Sequence, residues 1–419
     1  MPPFSFIHAA DLHLDSPFAS MGHNNPELAS VMRSATFKAF DNVIQLCLDK
    51  KVDFLLISGD VYDGADRSLR AQLKFQEGLK ILDNAGIRSF VVHGNHDPLN
   101  GWSSNLKWPE SVHQFRDSLE TIPVERDNEL LACIQGISYP KKNETRNLAR
   151  RFKKTSQTFH IGLLHANAGS IKGFKEYAPC TMADLLKSGM DYWALGHVHR
   201  KIILSDHVPR IVYPGNTQGR GINETGEKGC FLVRVNEDKE IDMEFYPVDM
   251  VRWISSEVSI NDMQAEQDLI NCLESRCKEI SETQSGRPSI TRISIIGNGP
   301  LAKRLKGPNI IEDLLELTRE AGMALSPFVW VEKIKVSVSP EFNIASAMEK
   351  QDFLGQLLCY SKELLEDEKF EDILKQELSL LFENSRARRF LTPPESTSLE
   401  KLLKDAEKSC VQGIYTGDD

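Results

Sequence analysis

Two residues that could bind a metal ion follow the first apolar run of the chain. Asp11 and His13 come directly after the run that begins at Phe4, and Leu12 lies between them. In an extended chain, residues two apart point to the same side, so the carboxylate and the imidazole converge. This pair suits a divalent cation, although for a single Asp-x-His the plainer interpretation is a strand that ends in a polar turn.

Four further segments carry the same kinds of side chain, and each follows a predicted strand. They are Gly59-Asp60, Gly94-Asn95-His96-Asp97, His165 and Gly196-His197-Val198-His199. In open α/β sheets the carboxyl ends of the strands meet at one edge, where ligand sites form. We expect the glycines of these segments to allow tight backbone bends. Five such segments at one edge favour a binding site over unrelated turns.

The donors in these segments are oxygen and nitrogen atoms, without a thiolate. Such a set suits manganese, iron or zinc, and manganese is favoured where carboxylate and amide share the site with imidazole. There are more donors than one ion needs. Two ions that share a carboxylate stabilise both the attacking and the leaving oxygen in phosphoryl chemistry, so we expect two divalent ions, with Mn²⁺ favoured.

Alternating apolar and amphipathic runs must position these residues. Strands are expected at 4–9, 52–57, 89–92, 159–164, 191–195, 210–213 and 230–235, and helices at 27–51 and 67–85. This order predicts an α/β domain with parallel strands in the core.

The character of the sequence changes near residue 250. Residues 250–339 are expected to form a compact β-α-β-α-β unit, with helices near 262–280 and 309–321. After residue 340 the pattern predicts helices at 344–360, 370–382 and 399–406. We therefore expect three parts: a domain at 1–249 that carries the ligands, a smaller α/β domain at 250–339 and a helical segment at 340–419.

The order and separation of the ligand segments resemble the signature of the calcineurin-like metallophosphoesterases. The matching stretches are Asp11-x-His13, Gly59-Asp60-x-x-Asp63, Gly94-Asn95-His96-Asp97, His165 and Gly196-His197-x-His199. The variants LHLDSPF, GDVYD, GNHDP, GHVH and YPGNTQGRG more narrowly resemble bacterial DNA repair exonucleases of the SbcD and YhaO type, relatives of the double-strand-break repair nucleases. The resemblance implies a four-layer α+β sandwich.

The resemblance also implies a role for each matching residue. One ion would be held by Asp11, His13, Asp60 and His199, and the second by Asp60, Asn95, His165 and His197. A metal-activated hydroxide would then attack phosphorus. His96 would act as general acid with Asp97 as its orienting partner, while Asp63 and Asp15 would support the ligands or the turns.

A glycine-rich loop from Tyr213 to Gly221 follows another predicted strand. Its backbone amides together with Asn216 and Arg220 could cradle a phosphate of the substrate. An ordinary loop is the alternative, and the resemblance favours substrate binding.

Two positions distinguish the chain from the protein phosphatases of the superfamily. Those enzymes usually have Arg after Gly-Asp-x-x-Asp, where this chain has Gly64, and Glu after Gly-Asn-His, where it has Asp97. Both differences favour a nuclease over a phosphoprotein phosphatase.

Composition limits other classes of function. Among 419 residues, 60 acidic and 50 basic side chains give a formal net charge of −10, which does not suggest a protein that coats nucleic acid by bulk charge. The eight cysteines are scattered without a C-x-x-C pair, as expected for reduced thiols. We find neither a signal peptide nor an apolar membrane span, so a cytoplasmic location is expected.

The leading hypothesis is a two-metal phosphodiesterase that hydrolyses DNA, an exonuclease with associated endonuclease activity. The resemblance implies an SMC-like coiled-coil ATPase as partner, bound by the C-terminal helices, and a second domain that caps the site. A phosphatase or cyclic-nucleotide phosphodiesterase acting on small molecules is the alternative. A binding scaffold without catalysis is disfavoured because no ligand position is empty, and a homodimer is left open.

Overall fold

The computed structural model describes residues 1–16, 26–64, 67–101, 104, 106–340, 347–383 and 396–414. The chain divides into two compact units. The first comprises Met1–Ser255, Lys278–Arg292 and Met323–Glu332, and the second comprises Ser256–Cys277, Ile293–Gly322 and Lys333–Asp419. All residues expected to bind metal belong to the first unit, while the division at residues 249 and 339 stays a prediction.

The first unit contains two six-stranded sheets. In chain order, the strands are β1 (Phe4–Ala9), β2 (Phe54–Ser58), β3 (Arg88–Val92), β4 (Val112–Gln114), β5 (Glu120–Arg126), β6 (Glu129–Ile137), β7 (Phe159–His165), β8 (Tyr192–Gly196), β9 (Ile202–Ser205), β10 (Arg210–Tyr213), β11 (Gly229–Val235) and β12 (Ile241–Pro247). One sheet has the order β12-β11-β1-β2-β3-β4 and the other the order β5-β6-β7-β8-β10-β9.

Each sheet has a parallel centre. Strands β1 to β4 run parallel in the first sheet, and β6, β7, β8 and β10 run parallel in the second. In the first sheet β11 pairs antiparallel with β1 and with β12, and in the second sheet the outer pairs β5–β6 and β9–β10 are antiparallel. The carboxyl ends of the central strands therefore converge, as the sequence predicted.

Alternation along β1 and β2 sends side chains to two different layers. Phe6 and Phe54 stack at 5.1 Å between the sheets, where the ring of Tyr192 from the second sheet meets Phe6 edge-on at 5.3 Å. On the other face, Ile7 and Leu55 pack against two helices, α1 (Pro26–Lys50) and α2 (Leu69–Asn84). These apolar contacts remove nearly all of the strand side chains from water.

The outer face of the second sheet is covered by the helix α3 (Met182–Lys187) and by loops. Trp193 of β8 is fully buried there, and its Nε1 donates a hydrogen bond to Leu185 O at 3.2 Å. Helices, sheet, sheet and helix thus form the four layers that were expected, and the predicted α/β fold class is confirmed.

The rest of the chain alternates strands and helices and then becomes helical. Its elements are β13 (Arg252–Ser259), α4 (Glu266–Thr283), β14 (Ser289–Asn298), α5 (Leu301–Arg304), α6 (Ile310–Met323) and β15 (Val329–Ser339), followed by helices at Phe353–Glu366, Phe370–Glu383 and Ser396–Ile414. The strands pair in the order β13-β14-β15. The helix predicted at 344–360 begins only at Phe353, where Asp352 caps its first turn by accepting from Gly355 N, and residues 341–346 of the prediction lie outside the described residues.

Candidate metal centre

Five strand ends place the predicted ligands at one edge of the two sheets. Asp11 and His13 follow β1, Asp60 follows β2, and Asn95 follows β3. His165 ends β7, and the segment with His197 and His199 follows β8. All of these residues are buried except His199, whose side chain is 12% exposed.

The backbone is strained at four of these positions. Asp11, His13 and Asp60 have φ angles of 52°, 44° and 49°, and His197 has a φ of 100°. Residues with a side chain rarely adopt this conformation, and where they do so, the strain is often part of a functional site. Here it turns the donor atoms toward one another instead of continuing the strands.

Three glycines allow the ligands to approach closely. Gly59 has a φ of 94°, and a Cβ there would lie 2.5 Å from His165 Nδ1. A Cβ on Gly94 would overlap the Asp60 carboxylate, and one on Gly196 would overlap Ser58 O. Only Gly59 needs a left-handed backbone, so the expected role in bending applies to that residue, while Gly94 and Gly196 are required for space.

Four ligands form the first group. Asp11, His13, Asp60 and His199 each place one donor atom within 4.8 Å of the others. The Nε2 of His13 lies 3.9 Å from Asp60 Oδ2, and the Nε2 of His199 lies 3.8 Å from Asp11 Oδ1. The structure therefore brings together the set that was predicted for one ion.

The orientation of the two imidazoles in this group fits a cation. His199 Nδ1 donates to Glu224 Oε1 at 2.7 Å, and His13 Nδ1 lies 3.0 Å from Asp63 Oδ1. The Glu224 carboxylate holds the proton on His199 Nδ1 and leaves a lone pair on its Nε2, while His13 Nδ1 lies close to Asp63 without forming a hydrogen bond in the described residues. The two Nε2 atoms face each other at 3.1 Å, where both can reach the same metal ion.

The second predicted group gathers on the other side of Asp60. His165 Nε2 lies 3.4 Å from Asp60 Oδ2 and 3.1 Å from Asn95 Oδ1, and its Nδ1 donates to Ser58 O at 2.9 Å. The ring of His197 lies 5.2 Å from that of His165. Because His197 Nε2 donates to Lys175 O at 2.8 Å, Nδ1 is the nitrogen left for a metal.

The charges within the site are strongly coupled. Burial raises the pKa of Asp11 to about 6, against the opposing effect of His199 and His165. Burial would also raise the pKa of Asp60, but His165 and His13 outweigh it and hold this pKa well below its ordinary value. Burial disfavours the charge on His165, yet Asp60 and Asp11 raise its pKa to about 9. A metal ion at Asp60 would take the place of that imidazole proton.

His96 lies at the rim of the site. Its backbone N–H donates to Asp60 Oδ1 at 2.8 Å, and its Nδ1 donates to Asp63 O at 3.1 Å. The side chain is 33% exposed, and Nε2 is the nitrogen free to meet a substrate. This position suits the predicted general acid, a role that stays a prediction.

Asp97 is not the orienting partner of His96. It is fully buried, and its oxygens accept from Val61 N, Gly94 N and His93 Nδ1 at 2.8 to 2.9 Å. Those contacts tie the loop after β3 to the loop after β2. The error arose because neighbours in a tight turn need not point the same way, so Asp97 supports the site without taking part in proton transfer.

Comparisons with known proteins identify the family. The family model of calcineurin-like phosphoesterases matches residues 4–201, and that of the middle domain of the metallophosphoesterase YhaO matches residues 253–339. An uncharacterized metallophosphoesterase, YhaO of Bacillus subtilis, is 35% identical over 383 residues, which cover 90% of this chain and 89% of that protein. The chain belongs to the calcineurin-like phosphoesterases.

More distant relatives are also similar to this chain. The DNA double-strand break repair protein Mre11 of Methanocaldococcus jannaschii is 25% identical over 289 residues, 65% of this chain and 74% of that protein. Mre11 of Aeropyrum pernix is 25% identical over 238 residues, 54% of this chain and 56% of that protein. Family membership indicates a hydrolase of phosphoesters that binds divalent metals, in agreement with the donor set described above.

The predicted substrate-binding residues have other contacts in this metallophosphoesterase. Asn216 is fully buried, and its Nδ2 donates to Gln218 O and Glu224 Oε2, so it does not face a substrate. Arg220 forms an ion pair with Asp63 through Nη1, and its side chain is 21% exposed. The loop after β10 thus organises groups behind the ligands instead of presenting them to a phosphate.

Sequence reasoning missed Glu224. It binds His199 Nδ1 and also accepts from Asn216 Nδ2 at 2.7 Å and from Arg220 N at 2.9 Å. Burial would raise its pKa, but His199 and Arg220 outweigh burial and hold the pKa well below its ordinary value. In the sequence, Glu224 is a single acidic residue in a loop, four positions after Arg220. No spacing rule connects such a residue to a histidine, so it could not be predicted.

No helix in the described part of the chain is both long and apolar enough to cross a lipid bilayer.

Proposed function

We propose that this metallophosphoesterase is a phosphodiesterase that hydrolyses DNA, acting as an exonuclease with associated endonuclease activity. The observation that carries the proposal is that Asp60, a member of the first group, also lies 3.4 Å from His165 Nε2, which in turn lies 3.1 Å from Asn95 Oδ1. Two divalent ions held there, with Mn²⁺ favoured by the mixed donors, would activate water and offset charge on the phosphoryl group. A centre of this kind suits the hydrolysis of a phosphoester.

The protein's own residues would do the rest of the chemistry. His96 Nε2 faces outward beside Asp60, so it would donate a proton to the leaving oxygen. Asp63 O fixes the ring by accepting from Nδ1. Phe174 and Tyr177 cover the ring of His197 at 6.0 and 5.6 Å, which excludes water from that side of the site.

Three cationic side chains beside the site support an extended anionic substrate. Lys172, Lys175 and Arg200 are exposed, and in the part of the chain that the structure describes none of them has an ion pair with a carboxylate. The Arg200 guanidinium lies 5.3 Å from the ring of Phe174, which in turn lies 6.1 Å from the ring of His199. This basic lip, defined by the three cationic residues, would bind phosphates next to the cleaved bond.

Two further observations favour a nuclease over a phosphoprotein phosphatase. Gly64 stands where protein phosphatases carry a phosphate-binding arginine, and a Cβ at Gly64 would meet no other atom within 4 Å. The Mre11 proteins that resemble this chain are DNA double-strand break repair proteins by name. Both support a nuclease of this kind.

The test is cleavage of defined DNA by the full-length protein. Linear duplexes labelled at the 5′ or the 3′ end, blunt or with overhangs, and a circular single strand are incubated with Mn²⁺. We expect end-dependent degradation of the linear DNA and slower cleavage of the circle. The Asp60→Ala protein, purified in the same way, controls for contaminating nucleases.

Small substrates separate the proposal from the alternative enzyme class. Turnover of p-nitrophenyl phosphate and of a cyclic nucleotide is measured beside DNA. Faster turnover of either small ester, with the DNA left intact, would contradict the proposal and favour a small-molecule phosphatase or phosphodiesterase.

We also propose an SMC-like coiled-coil ATPase as partner of the C-terminal helices. Apolar side chains on these helices are exposed, among them Phe353 at 69% and Tyr360 at 60%. Exposed aromatic residues are typical of binding surfaces. Undiminished binding of the ATPase by a protein that lacks residues 341–419 would contradict this proposal, and light scattering would show whether the chain forms a homodimer.

A further inference from the structure

Arg220 closes a ring of contacts behind the first group of ligands. Its Nη1 pairs with Asp63, and its Nη2 lies 3.7 Å from Glu224 Oε1. Asp63 lies beside His13 Nδ1, and Glu224 accepts from His199 Nδ1. The ring is completed by the two Nε2 atoms of these histidines, 3.1 Å apart.

We propose that Arg220 is a positioning residue for metal binding. It bridges Glu224, which holds His199 Nδ1, and Asp63, which lies beside His13 Nδ1, and it thereby keeps both Nε2 atoms directed at the same ion. This inference rests on the metal binding in the proposed function but does not depend on DNA as the substrate.

The two Nη atoms of the guanidinium are engaged, Nη1 by Asp63 and Nη2 near Glu224, whereas its Nε is buried without a hydrogen-bond partner in the described residues. Nη2 also lies 3.4 Å from His199 Nδ1. The backbone N–H of Arg220 donates to Glu224 Oε2. A phosphate would have to displace Asp63 or Glu224 to reach the guanidinium, which favours a supporting role over the predicted grip on substrate.

The structure explains why this position needs arginine. The guanidinium is a planar fork with donors in fixed directions, so one side chain reaches two carboxylates at once. Lysine would bring the same charge but a single donor point. Ser16 Oγ holds the other oxygen of Asp63 at 3.0 Å, and Asn216 holds the other oxygen of Glu224, so each carboxylate has one oxygen left for Arg220 and a histidine.

A positioning role and a simple effect of charge predict opposite changes in metal affinity when Arg220 is removed. A cation near two divalent ions repels them, so if Arg220 acted only as a charge, its removal would strengthen metal binding. If Arg220 positions the imidazoles, its removal weakens metal binding, because residues that orient metal ligands typically contribute about 10- to 100-fold to affinity.

The experiment measures Mn²⁺ affinity by isothermal titration of the full-length parent, Arg220→Gln and Arg220→Lys. We expect both variants to lose about 10- to 100-fold in affinity for the ion bound by the first group. Unchanged or tighter binding by Arg220→Gln, or parental affinity in Arg220→Lys, would overturn the inference. Absence of Mn²⁺ binding by the parent itself would instead contradict the proposed function.

Arg234 offers a matched control. It also pairs with two carboxylates, Asp242 and Glu244, each at 3.0 Å, but all three side chains are exposed at the surface of β11 and β12. Arg234→Gln should keep the parental affinity, and circular dichroism in the presence of EDTA compares the folding of all variants.

A double-mutant cycle gives a second readout. Asp63→Asn should weaken binding alone, and Arg220→Gln combined with Asp63→Asn should lose less affinity than the sum of the two single losses, because the contact between Arg220 and Asp63 is removed in both. Additive losses would overturn the inference. If Arg220→Gln does not fold, the Mn²⁺ affinities of Asp63→Asn and Glu224→Gln are measured instead. Parental affinity in both variants would contradict the inference.

Discussion

The Nε2 atoms of His13 and His199 face each other at 3.1 Å although their strands are far apart in sequence. A carboxylate lies beside each Nδ1, and the one from Glu224 accepts a hydrogen bond from His199. Asp11 and Asp60 lie on either side and add negative charge. Two facing imidazole nitrogens among carboxylates repel one another when no cation is present. A bound cation would turn this repulsion into attraction, which explains why the fold holds these groups together.

His96→Ala should keep both ions and lose cleavage. The side chain is absent from the two ligand groups but faces outward beside Asp60, so its removal takes away the proton donor and leaves the ligands. We expect kcat to fall by about 10² to 10⁴, the usual contribution of a general acid.

The matched control is His113→Ala. His113 is 31% exposed, much like His96, but pairs with Glu120 on β5. It should cleave at the parental rate, and His96→Ala at the parental rate would show that the role given to His96 is wrong.

Asp60→Ala should lose metal from both groups. Its carboxylate is the only one of the predicted ligands shared between them, since Oδ2 lies 3.9 Å from His13 Nε2 and 3.4 Å from His165 Nε2. We expect Mn²⁺ affinity to fall by at least about 100-fold, more than for a residue that only supports a ligand. Metal content after dialysis is measured by mass spectrometry.

Asp15→Asn serves as the comparison for Asp60→Ala. Asp15 lies near the site, but its carboxylate accepts from Ser68 Oγ at 2.5 Å and belongs to neither group. It should retain both ions, and equal metal loss in the two variants would contradict a shared role for Asp60.

Gly196→Ala should destabilise the protein and weaken the site together. A Cβ at this position overlaps Ser58 O and lies 3.0 Å from His165 Nδ1, so either β2 or the imidazole must move. We expect a loss of about 1–3 kcal/mol in the free energy of unfolding, as for other overpacked cores. Chemical denaturation in EDTA measures this loss, and Gly221→Ala, which adds a Cβ in open space, should have no such effect.

Replacing Lys172 and Lys175 with Gln should weaken DNA binding more than it slows catalysis. Both side chains are exposed beside His197, whose Nε2 contacts Lys175 O through the backbone alone. We expect KM for DNA to rise and the salt dependence of binding to become less steep by about two phosphate contacts. Hydrolysis of p-nitrophenyl phosphate should be unchanged.

Lys239→Gln is the control for the basic lip, since Lys239 lies in the turn between β11 and β12. If the double variant binds DNA with the parental salt dependence, the basic lip does not contact the substrate.

The sequence predicted the fold where local patterns decide it. Strands β1, β10 and β11 were placed within one residue because continuous apolar runs mark buried strands. Strand β5, with the sequence ETIPVER, was missed because its side chains are mostly exposed and carry charge. It is held by pairing with β6, a contact that the pattern of one strand does not encode.

In the candidate site, too, some residues could be predicted from the sequence and others could not. The ligands stand at strand ends with recognisable spacing, so the sequence located them before the structure brought them together. Asp97, Arg220 and Glu224 depend on which way loop side chains turn, and that is set by contacts between loops distant in sequence, such as Arg220 with Asp63. Contacts of this kind cannot be predicted until the fold is known.

Diffraction from crystals soaked in Mn²⁺, recorded at a wavelength with anomalous signal from manganese, tests the central claim most directly. The account predicts two peaks, one within the group of Asp11, His13, Asp60 and His199 and one among Asp60, Asn95, His165 and His197. No peak at this edge of the sheets, or a single peak that Asp60 does not touch, would contradict it.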